Sequence, residues 1–131
     1  MTGTGILVDT CAWLEMMSGS YKGDLARTVI RENSHISISV LSLYELRYRL
    51  EQIKNREEAV LIIKQITDQA EVIPIGDKIA LLGGTIKLQQ NSWKTKMSAV
   101  DCMLLATARI HNLNVLTGDM HFKGLEETIL I

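Results

Sequence analysis

Two aspartates stand just beyond segments that predict β-strands. Residues 6–8 are three branched apolar side chains in succession and Asp9 follows them, while Asp119 comes two residues after another predicted strand, 115–117. The three apolar residues at 6–8 are typical of a strand buried on both faces of a parallel sheet. Because ligands of open α/β sheets bind beyond the carboxyl ends of the strands, both carboxylates are predicted to lie at a ligand-binding edge.

Two further acids, Glu45 and Asp101, lie where helices are predicted to begin. Each follows a serine by three residues, Ser42 and Ser98 respectively, which is the spacing of a capping box. If both helices begin at the carboxyl edge of the sheet, these carboxylates converge with the strand-end aspartates. A purely structural alternative stays open, because an acid in the first turn also stabilises a helix through its dipole. Asp119 has a similar alternative as an ordinary turn residue.

The predicted convergence of acids has an electrostatic consequence. Carboxylates that share a crevice repel each other, and some must take up protons unless a positive charge is present. A divalent cation supplies that charge, and a ligand set made only of oxygens selects Mg²⁺ or Mn²⁺ over zinc. Such a cation lowers the pKa of a bound water and neutralises charge on a phosphoryl group. The residues therefore indicate metal-dependent hydrolysis of a phosphodiester bond.

The order of the predicted elements indicates an α/β fold. Strands are predicted at residues 6–8, 36–40, 72–74, 115–117 and 128–131, with helices in the intervening segments. Strands that alternate with helices form βαβ units, which place a central, mostly parallel sheet between two helical layers. The chain has one proline, no internal repeat and no linker-like stretch. We therefore expect one three-layer α/β/α domain across residues 1–131.

Composition narrows the class of protein. A hydrophobic content of 47% argues against disorder, and no apolar run approaches the roughly 18 residues that span a membrane. No secretory signal precedes the first strand, so a cytoplasmic location is expected. Cys11 and Cys102 fit no metal or redox spacing, and both are expected to be reduced, buried thiols. A net charge of −1 gives no overall attraction to nucleic acid, whose binding would need a local basic patch or bound cations.

The acidic blocks resemble those of PIN-domain ribonucleases, specifically the VapC-type toxins of toxin–antitoxin pairs. The resemblance rests on four blocks taken in order, which are LVDT at 7–10, SVLSLYEL at 39–46, SAVD at 98–101 with ATA at 106–108, and TGDMHF at 117–122. Because the blocks extend over essentially the whole chain, the resemblance implies a PIN-like three-layer fold for all of it.

The resemblance also implies a role for each acid. The family's catalytic site is formed by four acids, which match Asp9, Glu45, Asp101 and Asp119 here. Of these, Asp9, Asp101 and Asp119 are expected to bind Mg²⁺ or Mn²⁺, and the site as a whole to activate water for cutting RNA. Thr10 and Thr117 match hydroxyl positions that support the first and last acids.

Some positions depart from the family pattern or lie outside its motifs. Arg49 stands where the family often has glycine, and Leu105 where it often has alanine, but neither removes a carboxylate. The candidate RNA contacts are Trp93, Lys94, Lys96 and Arg47. They would act by base stacking and phosphate attraction. The alternatives for them are a solvated loop and a charged helix face. The histidines at 35, 111 and 121 share no ligand spacing and are interpreted as structural or surface residues.

Several functions remain to be weighed. The resemblance implies an endoribonuclease toxin that forms a homodimer and is neutralised by a cognate antitoxin, whose basic side chain enters the acidic crevice. A housekeeping PIN nuclease of RNA processing and a non-catalytic metal- or RNA-binding module are the alternatives. A response-regulator receiver domain is disfavoured because residues 2–4 contain no acid and the predicted strand ending at Thr117 is followed by Asp119 instead of a lysine. A haloacid-dehalogenase-type phosphatase would need an aspartate at position 11, which is Cys11.

Overall fold

The structure is a computed structural model and describes residues 5–90 and 96–131. Its strands are β1 (Gly5–Val8), β2 (Ile36–Ser39), β3 (Glu71–Ile73), β4 (Leu113–Thr117) and β5 (Thr128–Leu130). Its α-helices are α1 (Thr10–Ser18), α2 (Tyr21–Arg31), α3 (Val40–Ile53), α4 (Arg56–Gln69), α5 (Asp77–Gln89) and α6 (Ala99–His111), and a short 3-10 helix covers Met120–Phe122. No helix in these two ranges is both long and apolar enough to cross a membrane.

The strands form one sheet in the order β3-β2-β1-β4-β5, and every paired strand in it is parallel. β1 and β4 are neighbours at its centre, with Val8 opposite Leu116. Their carboxyl ends therefore meet, and the residues that follow them are brought together at one edge. The edge position of β3 agrees with Pro74, which directly follows it and cannot donate to a sheet ladder.

Alternating side chains of the central strand divide the core into two halves. Ile6 and Val8 of β1 point to a core shared with α1, α2, α3 and α4, whereas Leu7 points to a core shared with α5 and α6. All three side chains are at most 1% exposed, as expected for a strand covered on both faces. The predicted three-layer α/β/α architecture with a parallel sheet is confirmed.

The boundary between β2 and α3 differs from its predicted position. α3 begins at Val40, because the Ser39 hydroxyl at the end of β2 accepts a hydrogen bond from the Leu41 amide at 3.1 Å and caps the helix there. The predicted start at Ser42 is therefore wrong, and Glu45 lies in the second turn. Strand β2 correspondingly ends at Ser39, one residue before the predicted end.

The two cysteines are free. Cys102 is buried in the core on the α5–α6 side, as predicted, and Cys11 is only partly buried because it lies at the carboxyl edge of the sheet. That edge contains the candidate site.

Candidate active site

The four acids singled out in the sequence all line one pocket at the carboxyl edge of the sheet. Its volume is about 270 Å³, and it is lined by Asp9, Cys11, Glu15, Lys22, Glu45, Arg49, Asp101, Gly118 and Asp119. We call it the acidic pocket. The elements that supply the four acids are the β1–α1 junction, α3, the first turn of α6 and the turn after β4.

Asp9 is the most firmly held of these acids. It caps α1, and its Oδ1 accepts a hydrogen bond from the Thr10 amide at 2.7 Å. Its Oδ2 accepts one from the Thr117 hydroxyl at 2.8 Å. Burial raises the pKa of Asp9 in spite of these bonds, and the nearby charge of Glu45 raises it further. Asp9 is thus oriented by neutral donors that leave its charge unbalanced.

Thr117 connects the first and last acids. Its hydroxyl donates to Asp9 and accepts a hydrogen bond from the Asp119 amide at 3.0 Å. One fully buried side chain therefore positions both residues. Thr10 contributes its backbone amide instead, since its hydroxyl has no hydrogen-bond partner among the described residues.

We expect Thr117→Val to lower activity about 10–100-fold, because Asp9 loses a fixed hydrogen bond and Asp119 its backbone anchor. The loss of stability should be about 1–2 kcal/mol. Thr107→Val is the matched control, because Thr107 is also 0% exposed and donates one hydrogen bond, to the Met103 carbonyl. Cleavage assays and chemical denaturation of both variants test this. Equal activity losses in the two variants would contradict the assigned role.

Cys11 lies between these groups as a neutral donor. Its thiol is 3.4 Å from Asp9 Oδ2 and 3.3 Å from the Thr117 hydroxyl, and the Gly118 amide donates to its sulfur at 3.2 Å. Burial and the charge of Asp9 raise the pKa of Cys11 to about 11. The thiol therefore stays protonated near neutral pH and is unsuited to act as a nucleophile.

Asp101 occupies the first turn of α6, as predicted. The Ser98 side chain caps this helix by accepting a hydrogen bond from the Asp101 amide at 3.2 Å. Burial, followed by the charges of Asp119 and Asp9, raises the pKa of Asp101 to about 6. A carboxyl group of this kind is poised between its two protonation states when no cation is present.

Hydrogen bonds from side chains in α5 and at its C-terminal end hold Met97 and Cys102 near the start of α6. The sequence analysis did not predict these contacts. The side chain of Gln90, which is 1% exposed, accepts a hydrogen bond from the Met97 amide and donates one to the Cys102 sulfur at 2.6 Å. The Lys87 ammonium donates to the Met97 carbonyl at 2.7 Å. These contacts set where α6 begins, and hence where Asp101 lies.

His121 is a member of the site that the sequence interpretation missed. Asp119 Oδ1 accepts a hydrogen bond from the His121 amide at 2.9 Å and lies 2.7 Å from His121 Nδ1. Asp101, Asp119 and His121 each offer one ligand atom, and these atoms lie within 4.8 Å of one another. A proton on Nδ1 directed at the carboxylate would leave Nε2 free to bind a metal. The sequence feature that could have identified His121 is its position two residues after Asp119, the acid that follows β4.

Two cations, Lys22 and Arg49, line the acidic pocket without forming an ion pair within the described ranges. Lys22 belongs to the first turn of α2. Arg49 lies four residues after Glu45 on α3, at the position where the sequence departs from the family pattern. Lys22 was not predicted as a site residue, because only the packing of α2 against α1 brings it to this edge, whereas Arg49 lies one helical turn after Glu45 on the same helix.

The proposed RNA contacts are less well supported. Arg47 forms an ion pair with Glu51 one turn further along α3, and it does not line the acidic pocket. Lys96 is exposed just before α6. Trp93 and Lys94 lie outside the described residues. These four contacts stay predictions.

The donor set of the acidic pocket fits a hard divalent cation. Its carboxylates outnumber its two cations, and the pKa of both Asp9 and Asp101 is raised. Both shifts reflect buried negative charge that neighbouring donors do not balance. A bound cation would remove this imbalance, and Mg²⁺ and Mn²⁺ prefer oxygen ligands of this type.

Comparison with known proteins identifies the family. The PIN domain family model matches residues 6–127. A toxin–antitoxin complex from Klebsiella pneumoniae aligns with a TM-score of 0.77 at 18% identity, covering 95% of this chain and 96% of that one. VapBC2 from Rickettsia felis, bound to a DNA fragment from its promoter, aligns with a TM-score of 0.77 at 18% identity, covering 96% of each chain.

A third solved structure shares the fold at a similar level. VapC20 from Mycobacterium tuberculosis, described as a sarcin-ricin loop cleaving toxin, aligns with a TM-score of 0.71 at 18% identity, covering 94% of this chain and 98% of that one. No curated protein sequence matches this chain. At this identity, the likeness to the solved structures establishes the fold. The family match spans nearly the whole sequence, and the chain therefore belongs to the PIN-domain family, a family of nucleases.

Proposed function

We propose that this protein is a divalent-metal-dependent endoribonuclease and the toxin of a toxin–antitoxin pair. The observation that carries the proposal is the meeting of Asp9, Glu45, Asp101 and Asp119 in one pocket of a PIN fold. The proposal includes a cytoplasmic homodimer in which residues 1–131 form one domain.

The four acids have distinct tasks in this proposal. Asp9, Asp101 and Asp119 hold Mg²⁺ or Mn²⁺, with His121 beside them. The bound cation supplies Lewis acidity, which lowers the pKa of water and offsets charge on the phosphoryl group. Thr117 keeps Asp9 and Asp119 in position through its two hydrogen bonds. Glu45, which lines the acidic pocket from α3, accepts the proton of the attacking water.

Lys22 and Arg49 give the same pocket an affinity for a phosphodiester. An anionic substrate meets repulsion from the carboxylates, and cations in the pocket wall offset this for phosphate oxygens next to the cleaved bond. The local charge pattern matters here because the net charge of the chain is −1.

We expect Arg49→Gln to raise the KM for RNA several-fold. The slope of the logarithm of the RNA-binding constant against the logarithm of the salt concentration should decrease in magnitude by about one, which corresponds to one lost phosphate contact. Arg56→Gln is the matched control, since Arg56 is exposed at the start of α4 and does not line the acidic pocket. Binding isotherms and cleavage rates at several salt concentrations test this. Equal responses of the two variants would remove Arg49 from the substrate site.

The toxin role is supported by the structural neighbours, which are toxin–antitoxin proteins, one of them bound to promoter DNA. A pocket rich in carboxylates would also accept a basic side chain of an antitoxin, which would replace the charge of the metal. Expression of the protein alone should arrest growth, and co-expression of a small protein encoded beside it should restore growth. A housekeeping nuclease of RNA processing has the same active site but would not arrest growth.

The nuclease proposal is tested with purified protein and matched RNA and DNA oligonucleotides of one sequence. We expect cleavage of the RNA inside the chain when Mg²⁺ or Mn²⁺ is present, and little cleavage of the DNA. Preferred cleavage of the DNA would overturn the assignment of RNA as the substrate.

A further inference from the structure

A second pocket adjoins the acidic pocket and contains an aromatic pair. Its volume is about 240 Å³, and it is lined by Asp9, Leu41, Ser42, Tyr44, Glu45, Tyr48, Ser98, Val100, Asp101 and Leu104. We call it the tyrosine pocket. Asp9, Glu45 and Asp101 line both pockets, so the two pockets are adjacent.

The aromatic pair consists of Tyr44 and Tyr48, one turn apart on α3. Their ring centroids are 5.5 Å apart and their planes are inclined by 59°. The residues are 71% and 44% exposed, so that their rings are open to solvent. Aromatic side chains bury a large area when they are covered, and exposed ones beside a site of chemistry are suited to hold a flat ligand. Apolar contact is available from Leu41 and Leu104.

Charge is distributed unevenly between the two pockets. Of these two pockets, Lys22 and Arg49 line the acidic pocket and not the tyrosine pocket, whereas Tyr44 and Tyr48 line the tyrosine pocket and not the acidic pocket. The cations suit the phosphate backbone of a nucleic acid, and the rings suit a base. A strand that crosses the shared acids would place its backbone on one side and an adjacent base on the other.

We propose that the tyrosine pocket binds one unpaired nucleobase next to the cleaved phosphate of the substrate. The inference rests on the proposed nuclease function and adds to it a subsite for one base, formed by Tyr44 and Tyr48. A base becomes available for stacking only where the strand is unpaired. The pocket is smaller than the clefts of about 300–1,000 Å³ that hold drug-sized ligands, and this size suits a single ring system.

The pocket also offers polar groups to the edge of a base. Ser42 and Ser98 line its wall beside the shared acids. A serine hydroxyl both donates and accepts a hydrogen bond, so these two side chains can meet the edge of any of the four bases.

The test compares Tyr44→Leu, Tyr44→Phe and Tyr21→Leu. Tyr21 is the matched control because it is 77% exposed on α2 and lines neither pocket. We expect Tyr44→Leu to lower kcat/KM for single-stranded RNA about 10-fold, within the range measured for one stacked base. Tyr44→Phe should keep most of the activity, and Tyr21→Leu should equal the wild type. Mn²⁺ binding should be unchanged in all three variants.

Substrates with a single abasic nucleotide provide the second readout. We expect the wild type to lose about 10-fold in kcat/KM when the abasic nucleotide is next to the cleaved bond, and Tyr44→Leu to lose little more at that position. Equal activity of Tyr44→Leu and Tyr21→Leu would overturn the inference while leaving the nuclease function intact. A loss in Tyr44→Leu that follows a change in oligomeric state, measured by light scattering, would assign the pair to an interface between copies instead. Failure of the folded, metal-loaded wild type to cut any RNA would overturn the proposed function itself.

Discussion

Asp9→Asn should lower the rate of RNA cleavage on the order of 10³-fold while leaving the fold intact. Asparagine has nearly the size of aspartate and keeps one acceptor oxygen, so it can still accept the Thr10 amide hydrogen bond that caps α1, although its NH2 group cannot accept the hydrogen bond from the Thr117 hydroxyl. The substitution removes the negative charge of Asp9, a residue that lines both the acidic pocket and the tyrosine pocket. Without it, the site loses a cation ligand and its most firmly positioned carboxylate.

Cleavage of a labelled RNA under single-turnover conditions measures this loss. Asp24→Asn is the control, because Asp24 is exposed in the first turn of α2 and does not line the acidic pocket. Circular dichroism should show the same fold for both variants. Cleavage by Asp9→Asn at the rate of the wild type would mean that the activity arises from another site or from a contaminant.

Asp101→Asn should make the metal-free protein more stable at pH 7.5, by about 1–2 kcal/mol once solvent screening is allowed for. Burial and the neighbouring acids raise the pKa of Asp101 to about 6 from an ordinary value of 3.8. The folded protein therefore binds more protons than the unfolded chain between these pH values. The contribution of Asp101 to stability is fully present below about pH 4 and is lost as the pH rises through about 6.

Denaturant titrations from pH 4 to pH 8 in the presence of chelator test this prediction. The advantage of Asp101→Asn should be absent near pH 4 and should grow as the pH rises through about 6. Saturating Mn²⁺ should reverse the order at pH 7.5, because the wild type binds the ion in its folded state and is stabilised by it. A variant that is less stable than the wild type at every pH would mean that Asp101 is a structural residue.

Local sequence patterns predicted the fold and the meeting of the acids. The run at 6–8 was predicted as a doubly buried strand, and β1 is the central strand with both faces covered. Asp9 and Asp119 follow adjacent parallel strands, so their proximity follows from the order of the elements. Asp101 was predicted in the first turn of a helix capped by Ser98, and the structure agrees. In each case, the signal lies within a few residues of the acid.

Other parts of the site depend on contacts between distant segments. Lys22 reaches the acidic pocket because α2 packs on α1, which no local pattern records. Gln90 positions the start of α6 from the end of α5 through buried hydrogen bonds. His121 was dismissed because its spacing to other histidines was considered, whereas its partner is the acid two residues before it.

The start of α3 shows how competing local signals mislead. Ser39 and Ser42 are both able to cap a helix, and the capping-box spacing to Glu45 favoured the second. In the structure, Ser39 caps the helix because β2 ends there, and Ser42 is buried inside it at 4% exposure. Glu45 still reaches the acidic pocket from the second turn. The prediction that Glu45 lies at the site therefore holds, although its predicted place in the first turn of the helix was wrong.

The central claim is that the acidic pocket binds a divalent cation and that this cation makes the protein a ribonuclease. The most direct test is a Mn²⁺ titration of the chelator-treated wild type, with bound ion measured by electron paramagnetic resonance and RNA cleavage measured on the same samples. We expect cleavage to be absent without metal and to rise in proportion to the bound ion, with both signals lost in Asp9→Asn. Cleavage at full rate before any ion is bound, or Mn²⁺ binding that Asp9→Asn leaves unchanged, would contradict the claim.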